Sequence, residues 1–338
     1  MTFPDASLTR RRFLRQSFAF SALAALGSLP ALASAPESGA GAAELLMIGD
    51  WGYEEPRAQA DVAAGMRRYA ESQHLRPDAL LLLGDNWYGP LEGGAQSPRW
   101  QTGFEQMYPA SAFPGPAWAI LGNHDYQNFP ESKVEAELAY AKTGKSRFTM
   151  PARWYRFEFP EKNPLITFLA LDSNVPYADG TTSHGRDFTL THEQHAEQLK
   201  WLEAELERKR TTPFLTVIAH HPVYSDGPHG DHATLIRDWD PLFRKHKVQL
   251  YMAGHDHDLQ HLEFDGHPTS FFLSGGGGAD LYTLKIDQTQ RGPWAQKVYG
   301  FSRLSVTPEK LTLRHLNVQG QTIHSFTKTP DGKVTIGA

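Results

Sequence analysis

The 338-residue chain contains no cysteine. That excludes disulfides, thiolate zinc sites and a cysteine nucleophile together, so any metal must be held by nitrogen and oxygen ligands. Gly-x-Ser-x-Gly is missing, which argues against the nucleophile turn of an α/β-hydrolase. The glycine run at residues 274–278 lacks the lysine of a phosphate-binding P-loop and reads as a tight turn. Nor is there a large excess of one charge: 33 basic residues face 38 acidic ones, for a net charge of −5. This balance, with 40% hydrophobic residues, argues against both a nucleic-acid-binding surface and a disordered chain, and a small-molecule partner is expected. The longest apolar stretch, Phe18 to Leu29, falls short of the roughly 20 residues of a membrane span, so no stable membrane anchor is expected. Internal repeats and a convincing domain linker are also absent, which favours a single domain.

The chain begins with an address. Thr9-Arg10-Arg11-Arg12-Phe13-Leu14-Arg15 precedes the apolar stretch, and small residues follow, the order of a signal peptide. It resembles the twin-arginine export signal, whose machinery becomes an expected partner and carries folded cargo. That route suits a protein that takes up metals before leaving the cytoplasm, and the mature protein is expected to be periplasmic or secreted. Residues 1–35 are assigned to the leader, with cleavage after Ala33 preferred to cleavage after Ala35, because Pro36 would follow the latter. Residues 36–42 read as linker and 43–330 as the folded domain.

Six apolar runs in that domain each end in a polar turn: AELLMIGDWG (43–52), ALLLLGDNWYG (79–89), PAWAILGNHD (116–125), ITFLALDSN (166–174), PFLTVIAHHPVYS (213–225) and VQLYMAGHDHD (248–258). Runs without alternation suit strands covered on both faces. Helical periodicity predicts helices over 57–73, 191–210 and 232–246. In the second, Leu199, Leu202 and Leu206 share a face, and Thr191 with Gln194 forms a capping box. The alternation gives an α/β layered fold. After residue 300 the pattern changes to alternating strands with turns at Pro308-Glu309 and Gln319-Gly320, expected to close a second sheet.

Loops at the carboxyl ends of strands gather into one crevice in layered α/β proteins. Here they carry metal-binding side chains: Gly49-Asp50-Trp51-Gly52, Gly84-Asp85-Asn86-Trp87-Tyr88, Gly122-Asn123-His124-Asp125, Val217-Ile218-Ala219-His220 and Gly254-His255-Asp256-His257. Singly each motif is weak, since a Gly-Asp pair is more often a plain turn. In this order, from Leu45 to about Gly278, they resemble the metallophosphoesterase superfamily, and within it the purple acid phosphatases of the small tartrate-resistant type. Carboxylate, amide, phenol and imidazole donors suit iron, zinc or manganese, and one shared carboxylate would hold two ions about 3.5 to 4 Å apart.

The resemblance implies an α/β/β/α sandwich with one catalytic domain and a dimetal phosphomonoesterase activity on a small phosphorylated substrate. Carried over residue by residue, it gives one ion to Asp50, Asp85, Tyr88 and His257, and the other to Asp85, Asn123, His220 and His255. The superfamily's common Asp-x-His is replaced here by Asp50-Trp51-Gly52, and Tyr88 fills the vacancy. A phenol titrates near 10, so a strongly polarising Fe(III) beside Tyr88 is implied, with divalent iron, zinc or manganese at the second position.

The resemblance further implies in-line attack by a metal-bound hydroxide, with His124 contacting phosphate and protonating the leaving group, work suited to imidazole. His221, where related phosphatases often have tyrosine, is expected either to contact substrate or to cover the site. Asp125 and Asp172 are candidates for orienting ligand imidazoles or for plain turn roles, and Asp256 is expected to point away. His229 and His232 belong to the pocket mouth or to a solvated loop, and Trp51 and Trp87 to packing. Two alternatives stand: a phosphodiesterase or nucleotide hydrolase on the same core, and a non-enzymatic phosphate- or metal-binding protein.

Overall fold

The structure, a computed structural model, describes residues 41–53, 57–129, 131–176, 189–285 and 292–337. The leader and its cleavage sites lie outside the described residues.

Strands β1 (Ala43–Ile48), β2 (Ala79–Leu82), β3 (Ala117–Ala119) and β4 (Phe148–Thr149) run parallel in one sheet. A second sheet is built on β5 (Tyr155–Phe159), β6 (Ile166–Ala170), β7 (Phe214–Ile218), β8 (Leu250–Ala253), β9 (Leu259–Leu262), β10 (Ser270–Ser274) and β11 (Trp294–Gln296). Its order is β11-β9-β10-β8-β7-β6-β5, with β6, β7, β8 and β10 parallel. The unalternating runs are buried strands, with Trp118 of β3 half-buried; Leu80, Leu81 and Leu82 are all but inaccessible. Each such leucine contributes roughly 1.5–3 kcal/mol by leaving water, which fixes the turn that follows it.

The tail departs from expectation. Strands β12 (Gly300–Val306), β13 (Leu311–Asn317), β14 (Thr322–Lys328) and β15 (Val334–Ile336) do not form or close a separate sheet. They extend the first, giving the order β15-β14-β13-β12-β1-β2-β3-β4, because β12 pairs antiparallel with the open edge of β1. β13 and β14 largely alternate in burial as an antiparallel meander does, whereas β12 is buried throughout, and the last strand reaches Ile336, past residue 330.

Helix α1 (Arg57–Ser72) packs on the first sheet through Val62, Met66 and Tyr69, the last against Phe301 of β12. After α2 (Asn123–Tyr126) and α3 (Lys133–Lys142) comes α4 (His192–Glu207), capped by Thr191 and Gln194 as predicted; Leu202 and Leu206 are buried and Leu199 half-buried. The helix expected over 232–246 is two: α5 (Ala233–Asp238) and α6 (Asp240–His246). Pro241 at the start of α6 cannot supply a backbone donor to the preceding turn, so the chain breaks at Trp239 and restarts.

Candidate metal centre

The polar turns follow the carboxyl ends of β1, β2, β3, β7 and β8, and they meet where the two sheets come together. Tightness shows in the backbone. Asp50, Asp85 and His255 all have left-handed φ values, 58°, 51° and 71°, a region that residues with a Cβ seldom occupy. The glycine before Asp85 is required: Gly84 has φ 87°, and a Cβ there would lie 2.5 Å from the His220 ring. At Gly122 a Cβ would lie 2.2 Å from Asp85 Oδ1.

The seven proposed ligands form two groups that share one atom. Tyr88 Oη lies 2.9 Å from Asp85 Oδ2, 3.3 Å from Asp50 Oδ1 and 3.0 Å from His257 Nε2, and His257 Nε2 lies 3.4 Å from Asp50 Oδ1. His220 Nε2 lies 3.3 Å from Asp85 Oδ2 and 3.2 Å from Asn123 Oδ1, which is 2.9 Å from His255 Nδ1. Atoms bound about 2.0–2.2 Å from one ion, at tetrahedral to octahedral angles, stand about 2.9–3.5 Å apart. Both groups fit that spacing, and Asp85 Oδ2 belongs to both. Asp50, Asp85 and His220 each offer a ligand atom within 4.8 Å of the others, a group that could hold a metal ion.

The imidazoles are aimed from behind by main-chain carbonyls. His220 Nδ1 bonds Leu83 O at 2.8 Å and His257 Nδ1 bonds Asp280 O at 2.6 Å, which turns each Nε2 toward the carboxylates. Neither Asp125 nor Asp172 bonds these rings. Asp125 accepts backbone N–H groups from two turns, and Asp172 accepts from Tyr126 and Asn174.

Charge also fits a metal. Asp50 and Asp85 are buried, and among the described residues neither pairs with lysine or arginine. Burial opposes a charge on His220, yet Asp85 and Asp50 outweigh it and draw its pKa up to about 10 in the metal-free protein. Burial and then the two carboxylates push the Tyr88 phenol well above its ordinary value. A group of two carboxylates, with protons held by their neighbours, is one that cations relieve by displacing those protons.

Beside these groups lies a cavity of about 280 Å³ lined in part by Asp85, Asn123, His124, His255, His257 and Tyr282. His124 packs tilted against Tyr88, with ring centroids 4.1 Å apart and the planes at 35°. His229 lines the cavity too, its Nδ1 held 2.7 Å from Asp256, so Asp256 points away from the two groups and steers His229 instead. His221 does not line it: the ring packs 4.2 Å from His255 and its Nδ1 bonds Ser173 Oγ at 2.8 Å. His232 packs behind His221. Trp51 and Trp87 pack edge to face, as expected. The glycines of 274–278 let this segment cross β1 closely, with Gly277 donating to Gly49 O, and serve as a turn. Sequence reasoning missed Tyr282, stacked 4.0 Å from His257, and Gln127 on the cavity wall. Tyr282 sits in an irregular stretch whose sequence carries no periodicity to mark it.

Residues 44–259 match the model of the Metallophos family, described as calcineurin-like phosphoesterase. The chain belongs to the calcineurin-like phosphoesterase family. Among curated relatives of this calcineurin-like phosphoesterase is purple acid phosphatase 7 of Arabidopsis thaliana, 28% identical over 299 residues, with 84% of this chain and 85% of the relative covered. Tartrate-resistant acid phosphatase type 5 of Rattus norvegicus is 31% identical over 291 residues, covering 82% and 87%. Among solved structures, purple acid phosphatase PPD1 of yellow lupin superposes with a TM-score of 0.63 at 19% identity, covering 85% of this chain and 54% of that one. GAP50, described as the anchor in the inner membrane complex of Plasmodium, gives 0.68 at 19%, covering 88% and 90%. At such identities these structures speak for the fold alone. With the family and its acid phosphatase relatives, the protein is a hydrolase of phosphate esters with a dinuclear metal centre.

Proposed function

We propose that this phosphoesterase is an exported acid phosphatase acting on small phosphomonoesters, with Fe(III) beside Tyr88 and divalent iron, zinc or manganese at the second position. The observation that carries the reading is the phenol of Tyr88 within hydrogen-bonding reach of Asp50, Asp85 and His257 at once. Asp50, Asp85, Tyr88 and His257 would hold the first ion, and Asp85, Asn123, His220 and His255 the second. Bound there, the two ions would polarise a phosphoryl oxygen and acidify the attacking water.

The chain's own groups do the rest. His124 is held over Tyr88 by ring packing and by its backbone N–H, which donates to Asp85 Oδ1 at 2.8 Å. From the cavity wall its imidazole protonates the departing alkoxide. His229, steered by Asp256, offers a second donor to the phosphoryl oxygens. The buried position of His221 supports covering rather than substrate contact. The leader supports export of the folded protein by the twin-arginine route, which Arg10→Lys with Arg11→Lys should block, leaving enzyme in the cytoplasm.

Tyr88→Phe tests the central reading. It should keep the fold by circular dichroism, lose the visible phenolate-to-iron absorbance and lose about 10–100-fold in kcat. A coloured and fully active variant would sink the ferric assignment. Rates on a monoester and a diester of the same alcohol separate the monoesterase from the phosphodiesterase reading, and a metal-loaded protein that binds phosphate without turnover would mark a binding protein.

A further inference from the structure

Two of the ligand-bearing turns hold each other. Asp125 takes the backbone N–H groups of Asn86 at 3.1 Å and Trp87 at 2.9 Å, both from the turn of Asp85, and that of Gly122 at 2.8 Å from its own turn. In return Asp85 Oδ1 takes the N–H of His124 at 2.8 Å. The second oxygen of Asp85 is left to face Tyr88 and His220. A carboxylate free to rotate would not keep one chosen oxygen between two ligand groups; this one has its other oxygen tied to the main chain.

The clamp has a backing. Asn86 Nδ2 donates to Glu137 Oε2 at 2.9 Å and Ile120 O at 2.8 Å, with Asp125 Oδ2 at 3.3 Å, while Asn86 Oδ1 accepts from Trp51 Nε1. Glu137 is fully buried on α3, and Lys133 of the same helix donates to Gly89 O, one residue past Tyr88. Burying the Glu137 carboxyl there is costly, and its bond to Asn86 offsets part of that cost.

We propose that Asp125 is a positioning residue of the metal centre: it holds the Asp85 turn so that Oδ2 alone faces both ligand groups, and Glu137 keeps Asn86 and Asp125 in that arrangement. The proposal rests on the two-ion reading above. An amide at 125 would keep one accepting oxygen and put an NH₂ in place of the other, so either the tie to Trp87 N–H or those to Asn86 and Gly122 N–H must open.

The test compares the full-length wild type, Asp125→Asn, Glu137→Leu and Glu137→Gln, each loaded with iron and zinc. It reads metal ions per chain, the visible absorbance band, and kcat and KM for 4-nitrophenyl phosphate. Asp125→Asn is expected to fold, to bind fewer than two ions, to shift or lose the band, and to lose about 10–100-fold in kcat with KM changed less than about threefold. Glu137→Leu should move the same readouts less, and Glu137→Gln should recover most of the loss. A folded Asp125→Asn with two ions, an unshifted band and wild-type kcat overturns the proposal. Should it not fold, the same readouts on Glu137→Leu decide, and wild-type values there overturn it. If the wild type binds two ions but no iron, only the ferric assignment falls, and the ion count of Asp125→Asn still judges Asp125. If the wild type binds none, the two-ion reading falls and takes this proposal with it.

Discussion

The molecule contains two buried groups of histidines, and they are built to opposite ends. His220 and His257 each use one nitrogen on a main-chain carbonyl and turn the other onto carboxylates. On the far side, between the two sheets, His315 spends both nitrogens on Ser302 Oγ and Gln260 O. His261 spends both on His324 and Glu263. These rings stack on Phe272, Phe326 and Trp294. Charge follows the partners: His220 is raised to about 10, whereas burial lowers His315 well below its ordinary range and takes His324 to about 4. Abundance of histidine therefore says little; the unspent nitrogen facing an acid marks the site.

The contrast can be broken at several strengths. Asp85→Asn should abolish the shared ligand, strip metal from both positions and cost on the order of 10³-fold in kcat, read by metal analysis and steady-state rates. Gly84→Ala should cost about 10–100-fold, since its Cβ meets the His220 ring, while circular dichroism stays native. His315→Leu belongs to the other group and should leave kcat unchanged; Ser302 and Gln260 lose a partner, worth about 1–3 kcal/mol and a few degrees of Tm. If activity fell with His315, the separation of the two groups would be wrong.

The smallest effect is one of sign. In metal-free protein the pKa of His220 is raised, so its stabilisation is complete below 6.5 and is lost as pH rises toward about 10. The pKa of His324 is lowered, so its contribution is complete above 6.5 and is lost as pH falls toward about 4. Thermal melts of the metal-free protein across this range should show both limbs, with His220→Phe flattening the alkaline one and His324→Phe the acid one.

The parallel half of the fold was legible in the sequence because its strands are unalternating runs that stop at a polar turn, glycine-led before Asp50, Asp85, Asn123 and His255 and direct at His220. What escaped depended on partners distant in the chain. The alternation of 300–328 announced strands but not their neighbour, since an antiparallel strand satisfies either sheet's edge equally well. Pro241 was visible, yet the helical pattern around it hid the break. Tyr282 and Gln127 gained meaning only from the cavity they border, and Asp125 from main-chain donors that no side-chain pattern records.

One pairing sets an order of events. β12 covers the edge of β1 by joining Val306 to Ala43, residues far apart in the chain. During synthesis the first strand, two residues before Asp50, keeps this edge uncovered until residues 300–306 emerge. A chain stopped before residue 300 leaves that edge open to other chains. Contacts so distant also slow folding, so the strand that carries the turn of Asp50 gains its second neighbour only after β12 has been made.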